Sequence, residues 1–463
     1  MSASENTGWG QLMEKGGLAR FALICLGVWL DAADVLMTAT IMPSVAADIG
    51  GYAYFAWTVA GFILGAILAG ATAGQISLRI GLRSSTVLAA LVYVVGCVIS
   101  AMAGDIASFL IGRVLQGVGA GWVVGLCYVA IGTLFPENLW PRVLAAVSGV
   151  WGGATLLSPL IGGLFAEAGL WRWAFWFFAA QGVGFAIAAY FLLSPVRPKN
   201  EGGALPLVQL VLLTVGIGAI GVAGVVLDVW IALGLGIAGL AMMGAFLRLD
   251  GDARSPLLPR ASRHFMTAAG SGYAMIFAMS AAAIAFSVYG AAILQALFGT
   301  SPLAAGYILA IESAAWTVAA LAVASLGVRW EGMMLKAGAL SVLVASVLLT
   351  FAMGAGPLVV ICVAAAFLGG GFGLAWSFIT RRIIVSVPDG ERSLASAAVP
   401  TMQMIGYAVG SAGAGVIANF LGFADGISAE TAHAGAFWLF GAFVPVAFCA
   451  VIAAWRLSSR AFD

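Results

Sequence analysis

The chain has 463 residues, 63% of them hydrophobic and 8% charged, with a mean hydropathy of +1.09; soluble globular domains carry about 25% charged residues. Twenty Lys and Arg against 19 Asp and Glu leave a net charge of +1, so no global field exists to attract nucleic acid or acidic partners. Five cysteines, Cys25, Cys97, Cys127, Cys362 and Cys449, are an odd number set in apolar runs. Without the close spacings of metal knuckles or redox pairs, they read as buried free thiols.

A bilayer core about 30 Å thick requires roughly 20 apolar residues per helical crossing. On that measure the sequence predicts an all-α integral membrane protein with fourteen crossings, near 20–42, 55–76, 85–103, 107–134, 143–166, 174–193, 205–226, 229–248, 265–296, 302–327, 333–354, 357–380, 394–421 and 433–456. The first run is too long for the apolar core of a signal peptide and holds Asp31 and Asp34, so it is expected to remain as a crossing. Cytoplasmic loops should hold the Lys and Arg. With the N-terminus inside, all of the twenty basic residues except Arg113 and Arg172 fall on cytoplasmic segments. They include Arg79 and Arg83, Arg197 and Lys199, Arg254, Arg260 and Arg263, and Arg381 and Arg382. Both termini are therefore expected in the cytoplasm, with the protein in the plasma membrane.

Aligned with itself at an offset of 250, the chain pairs Arg79 with Arg329 and Arg142 with Arg392, each in corresponding loops. Pro136-Glu137 lies within two residues of register with Pro388-Asp389, and Gly119 and Gly121 face Gly369 and Gly371. The expected organisation is a cytoplasmic segment (1–19), a six-helix bundle (20–193), a linker with two inserted helices (194–248), a polar cytoplasmic linker (249–264), a second six-helix bundle (265–456) and a tail (457–463). Two related halves around a midplane site are how many secondary transporters alternate access.

At this point the loops carry a recognisable signature. The stretch from Gly74 to Arg83, with Arg79 and Gly81, resembles the G-x-L-A-D-R-x-G-R loop of the major facilitator superfamily, with Leu78 in place of the acid. Arg113-Val114-Leu115-Gln116-Gly117-Val118-Gly119-Ala120 matches its fourth-helix pattern R-x-x-Q-G-x-G-A. Ser158-Pro159-Leu160-Ile161-Gly162-Gly163 resembles the fifth-helix G-P-x-x-G-G, with Ser158 where glycine is usual. Trp171-Arg172-Trp173 and the run from Asp34 to Pro43, with Leu36 and Ala39 where Thr and Asn are usual, fit the fourteen-helix drug:proton antiporter branch. The resemblance implies a proton-coupled exporter of amphipathic organic molecules. The departures at Leu78 and Ser158 keep open the same machine run inward, a symporter of a vitamin or other small nutrient. Ligands and partners are then a small organic substrate, protons and lipid, with no cofactor or metal, for a monomeric protein.

Away from the span ends, four charged residues lie inside predicted spans: Asp31, Asp34, Arg113 and Glu312. Each costs roughly 2.5 to 3.5 kcal/mol at a helix centre, so retaining four points to proton coupling. At 1.5 Å per residue Asp34 lies about 12 Å, Arg113 about 10 Å, and Asp31 and Glu312 about 16 Å from the outer helix ends. The resemblance sets the first and fourth spans side by side, which makes Asp34 with Arg113 the preferred pair. Glu312 aligns with Phe62 in the first half, so it is expected to take a second proton or a cationic part of the substrate. Trp122 and Trp376, on spans that line the cavity in the family, and Gln116 complete the candidate substrate contacts; Trp29, Trp151 and Trp316 are expected to pack. No nucleophile-base arrangement or ligand cluster suggests an enzyme.

Overall fold

The computed structural model describes residues 17–136, 139–194, 206–226, 228–253 and 256–459. The expected cytoplasmic segment up to residue 16, Glu137, Arg197, Lys199, Arg254 and the tail from Arg460 lie outside the described residues.

Among the described residues every regular element is helical. α1 (Gly17–Ile49), α2 (Trp57–Gly70), a short α3 (Ala73–Ile80), α4 (Leu82–Met102), α5 (Ile106–Leu134), α6 (Trp140–Glu167) and α7 (Trp171–Leu192) pack as one bundle. After the pair α8 (Leu207–Ala223) and α9 (Val229–Asp250) come the helices of a second bundle. These are α10 (Ala268–Phe298), α11 (Pro302–Val323), α12 (Glu331–Ala355), α13 (Leu358–Val385), α14 (Arg392–Phe420), α15 (Ala429–Gly441) and α16 (Val444–Ser459). Local chemistry sets the helix starts. Asp105 caps α5 by accepting from the Ser108 N–H at 2.9 Å, and Ser301 followed by Pro302 opens α11. Ser428 and Thr431 cap α15 reciprocally. Between α3 and α4 the chain turns at Gly81 with φ at 85°, a region that favours glycine.

Among the described residues, twelve segments are long and apolar enough to cross a membrane, against the fourteen expected. The two others differ for different reasons. α8 has 17 residues, about 26 Å at 1.5 Å per residue, short of the roughly 30 Å core. α14 is long enough at 29 residues, but Ser396, Thr401, Gln403, Ser411 and a run of glycines dilute its apolar character. α1 also runs seven residues beyond its expected end, straight through Pro43. Asp34 therefore lies near the middle of its helix rather than in its outer half. The thiols differ as well: Cys97 and Cys127 are buried, Cys25 and Cys362 are half-buried, and Cys449 is exposed on the outer face of α16.

The halves repeat in their packing, with a shift in register. A Cβ on Gly117 would fall 1.9 Å from the Phe62 carbonyl oxygen, and one on Gly369 would fall 1.7 Å from that of Glu312. Gly121 meets the Ala66 carbonyl at 2.4 Å and Gly373 that of Trp316 at 2.3 Å. The α2–α5 and α11–α13 crossings are thus equivalent, but the glycines pair as Gly117 with Gly369 and Gly121 with Gly373, two residues away from the offset inferred from the loops.

Between the bundles, contacts gather at the end where α1 turns into α2. Ser411 donates to the Ala56 carbonyl at 2.9 Å and Asn419 to that of Ala53 at 2.7 Å. Phe55 stacks on Tyr289 at 5.4 Å, and Gly163 of α6 closes on Leu303 of α11.

At the opposite end of the second bundle, Glu331 is 2% exposed and accepts from Arg381 at 2.5 Å and Arg382 at 3.0 Å, fastening α12 to α13. Replacing Glu331 with Gln is expected to lower stability by about 2 kcal/mol, the worth of a hydrogen bond to a charged group. Thermal unfolding of purified protein measures it; an unchanged midpoint would show the pairs to be ornamental.

Candidate functional site

The densest polar cluster lies inside the first bundle, around Asp34 at 0% exposure and Arg113 at 1%. Arg113 Nη1 donates to Asp34 Oδ1 at 2.6 Å. The guanidinium has further contacts. Its Nε donates to the Thr58 carbonyl at 3.2 Å, Nη1 also reaches Gln116 Oε1 at 3.0 Å, and the Phe62 ring lies 4.5 Å from its central carbon. Asp34 accepts further from Thr38 Oγ1 at 3.1 Å, Tyr93 OH at 2.9 Å and Gln116 Nε2 at 3.0 Å. A carboxylate with this many donors and a guanidinium with matched acceptors satisfies the requirement for burying an ion pair. Four helices meet here. Glycine makes it possible, since a Cβ on Gly119 would strike the Tyr93 backbone at 2.4 Å and hold α5 away from α4.

Gln116, expected on the substrate surface, is instead part of this network. Its Oε1 also accepts from Ser100 at 3.1 Å and its Nε2 lies 3.2 Å from Cys97 Sγ, so both ends of a fully buried amide are engaged. Trp122 likewise has a structural partner: its indole N–H donates to Thr72 Oγ1 at 2.9 Å, pinning α5 to the break between α2 and α3. Trp29 donates to Gln181 Oε1 at 2.9 Å, whereas Trp151 on α6 is 43% exposed.

The other two acids are held differently. Asp31, three residues before Asp34 on the same helix, is 5% exposed and makes no hydrogen bond among the described residues. Glu312, in the middle of α11, is half-buried, and its Oε2 accepts from Ser287 of α10 at 3.4 Å. One turn further along, Trp316 stacks on Phe372 at 4.7 Å and meets Trp376 at 5.4 Å. The structure thus brings Glu312 and Trp376 to one aromatic-lined region of the second bundle, apart from the Asp34 network of the first.

The residues of the family-like motifs divide in role. Gly162 faces the Met37 carbonyl of α1 at 3.0 Å, whereas the next residue, Gly163, faces Leu303 of the other bundle at 2.6 Å. Pro159 meets Gly306 of α11, and Ser158 is buried with its hydroxyl unpartnered among the described residues. Arg83 stacks over Tyr190 of its own bundle at 3.5 Å. Arg79 is exposed, and Gly74 has open space around it.

Sequence reasoning passed over Tyr93, Thr38, Ser100 and Cys97, which complete the Asp34 shell, and Ser287. Thr38, one helical turn from Asp34, was findable by spacing. A lone tyrosine in an apolar run was not.

Comparison with known proteins places this geometry in context. Residues 24–289 match the Major Facilitator Superfamily family model. A probable multidrug-efflux transporter of Mycobacterium tuberculosis is 32% identical over 99% of this chain and 98% of its own length. The multidrug transporter protein MdtP of Bacillus subtilis is 23% identical over 51% of this chain and 44% of its own. The fold is shared with the crystal structure of a D-xylose-proton symporter, at TM-score 0.65, 18% identity and coverage of 95% of this chain and 97% of that one. It is shared too with a peptide transporter POT in complex with sulfate, at TM-score 0.66, 17% identity and 95% coverage of both. With an all-helical membrane fold, a matching family model and a full-length relative in agreement, the chain belongs to the Major Facilitator Superfamily and is a transporter, not an enzyme.

Proposed function

We propose that the chain is a proton-coupled secondary active transporter that exports amphipathic organic molecules by alternating access. In this reading it belongs to the fourteen-helix drug:proton antiporter branch, works as a monomer, and resides in the plasma membrane with both termini cytoplasmic. The bundles 20–193 and 265–456 rock against each other, and the pair within 194–248 is an insertion. α8 and α14 also cross. α8 is short, which a locally thinned bilayer accommodates, and α14 is shielded by α2, α8 and α10.

The observation that carries the proposal is the Asp34–Arg113 pair, fully buried, with Asp34 at the middle of α1 and Arg113 two turns inside α5. Insertion penalises each charge there, so its retention argues for use in coupling. Asp31 and Glu312, without cationic partners among the described residues, are the second and third acids of the mechanism. Glu312 beside Trp316 and Trp376 also suits the charged and aromatic parts of a substrate. The full-length relative named as a multidrug-efflux transporter supports the direction of transport. The external gate is closed in this geometry, because the seam contacts lie at the end assigned to the outside by the loop charges.

Proton movement supplies enough energy. One charge crossing 100 mV is worth about 2.3 kcal/mol, roughly a fifty-fold gradient. Transport of a lipophilic dye in oriented proteoliposomes under an imposed pH gradient tests the reading. Export predicts movement of dye against the direction of proton flow, and accumulation on the side to which protons flow would establish symport instead. Glu312→Gln is expected to reduce driven flux of a cationic dye at least ten-fold while the protein still folds, since no buried cation loses its counter-charge. Undiminished flux would remove Glu312 from both substrate binding and coupling.

A further inference from the structure

The pair α8–α9 has no counterpart in either half of the repeat, and its position suggests what it does. α8 lies in the seam between α2 and α14. A Cβ on Gly221 would come within 2.5 Å of the Trp57 indole, and one on Gly224 within 2.9 Å of the Val416 backbone. There the Asn419 amide nitrogen donates to the carbonyls of Ala53, at 2.7 Å, and Gly224, at 2.9 Å. Two carbonyls converging on one atom require that atom to be the NH2. One side chain therefore joins the first bundle, the second bundle and the inserted pair.

We propose that Asn419 is the positioning residue through which the inserted helices hold the external gate shut, a reading that rests on alternating access. The surfaces that meet here are small, including Ala53, Ala56, Ala60, Ala412 and Gly415. Trp57, Leu64 and Ile217 stand beside them, so the polar contacts hold the closure together with this apolar packing. Opening this end parts α2 from α14 and breaks the bonds from Asn419 to Ala53 and from Ser411 to Ala56, together with the stack of Phe55 on Tyr289. The bond from Asn419 to Gly224 does not cross that parting. α8 meets α14 backbone to backbone at Gly224, whereas at Gly221 it meets a side chain of α2, so the pair travels with the second bundle. While the gate is open, the Gly224 carbonyl keeps the amide oriented, and less rotamer freedom is lost when Ala53 returns. The inserted helices thus act as a clamp that presets the closing bond.

The test is distance measurement by electron paramagnetic resonance in proteoliposomes, after Cys25, Cys362 and Cys449 are replaced by alanine. A gate pair of labels at Tyr54→Cys and Asp425→Cys spans two short turns that pack on each other. Asn419→Leu is nearly isosteric and has no donor in any protonation state, and it is expected to raise the open-to-closed ratio roughly five-fold, the worth of one net hydrogen bond. An unchanged distribution overturns the proposal. A second pair at the exposed positions Val222→Cys and Phe420→Cys needs no change at Asn419, so misfolding of that variant leaves the idea testable. This distance should stay constant across the open and closed populations of the gate; lengthening in step with the gate would show that the pair follows the first bundle and defeat the clamp. These readouts are conformational, so absence of proton-driven flux would remove the proposed function without mimicking either result.

Discussion

Asp34→Asn is expected to abolish proton-driven transport and to destabilise the first bundle, and the two losses are separable. The neutral amide removes the counter-charge of Arg113, which is 1% exposed. Leaving one buried partner alone typically costs about 3–5 kcal/mol. The double variant Asp34→Asn with Arg113→Gln discards the orphaned charge, so most of the thermal stability should return, because a buried pair replaced as a whole is close to neutral. Driven flux should not return. Measuring the unfolding midpoint and dye flux for both variants divides the outcomes. If the double variant transports against a gradient, the pair is a structural bolt. If Asp34→Asn retains driven flux and Asp31→Asn loses it, the proton is carried by the acid that the structure leaves without a hydrogen bond.

How much of this was legible in the sequence depended on whether a feature repeats or stands alone. Long apolar runs announced the helices because the bilayer enforces their length; the rarity of charge within them singled out Asp34 and Arg113, and the family resemblance, which sets their helices side by side, made them a pair. The expected end of α1 at residue 42 fell short: Pro43 lies inside the helix, where within a membrane bundle the lost backbone bond is tolerated, and the helix continues to Ile49. Gln116 was read as a ligand contact because a polar residue on a cavity-lining helix has two possible faces. Which face it shows depends on Ser100 and Cys97 of α4, whose approach is allowed by glycines at 96 and 112. The register of the repeat, set from loops, holds for α2 and α11, where Phe62 matches Glu312 and Ala66 matches Trp316, and is two residues off for the glycines of α5 and α13 that pack on them. Asn419 gave no signal, since its meaning comes from two carbonyls distant in sequence.

Those crossings yield the other large effect. Gly369 and Gly370 are adjacent and look interchangeable in the sequence. On the structure a Cβ at Gly369 would sit 1.7 Å from the Glu312 carbonyl oxygen and 2.9 Å from the Glu312 Cα, while at Gly370 nothing lies within 4 Å. Neither α11 nor α13 can yield by moving a side chain, because the obstacle is backbone. Gly369→Ala must therefore push the helices apart. Overpacking costs 1–3 kcal/mol where side chains can shift, so a loss of about 3 kcal/mol or more is expected here. Displacement would also carry Glu312 away from Ser287 and Trp316 off Phe372, so substrate binding should fall even in protein that still inserts. Gly370→Ala should leave both stability and flux unchanged. Gly117→Ala repeats the experiment in the first bundle, where the obstacle is the Phe62 carbonyl at 1.9 Å and the ring of Phe62 supports Arg113. Thermal unfolding and dye binding of the three variants measure these effects. Equal behaviour of Gly369→Ala and Gly370→Ala would mean that the α11–α13 crossing is looser than its geometry requires, and that Glu312 is not held in place by it.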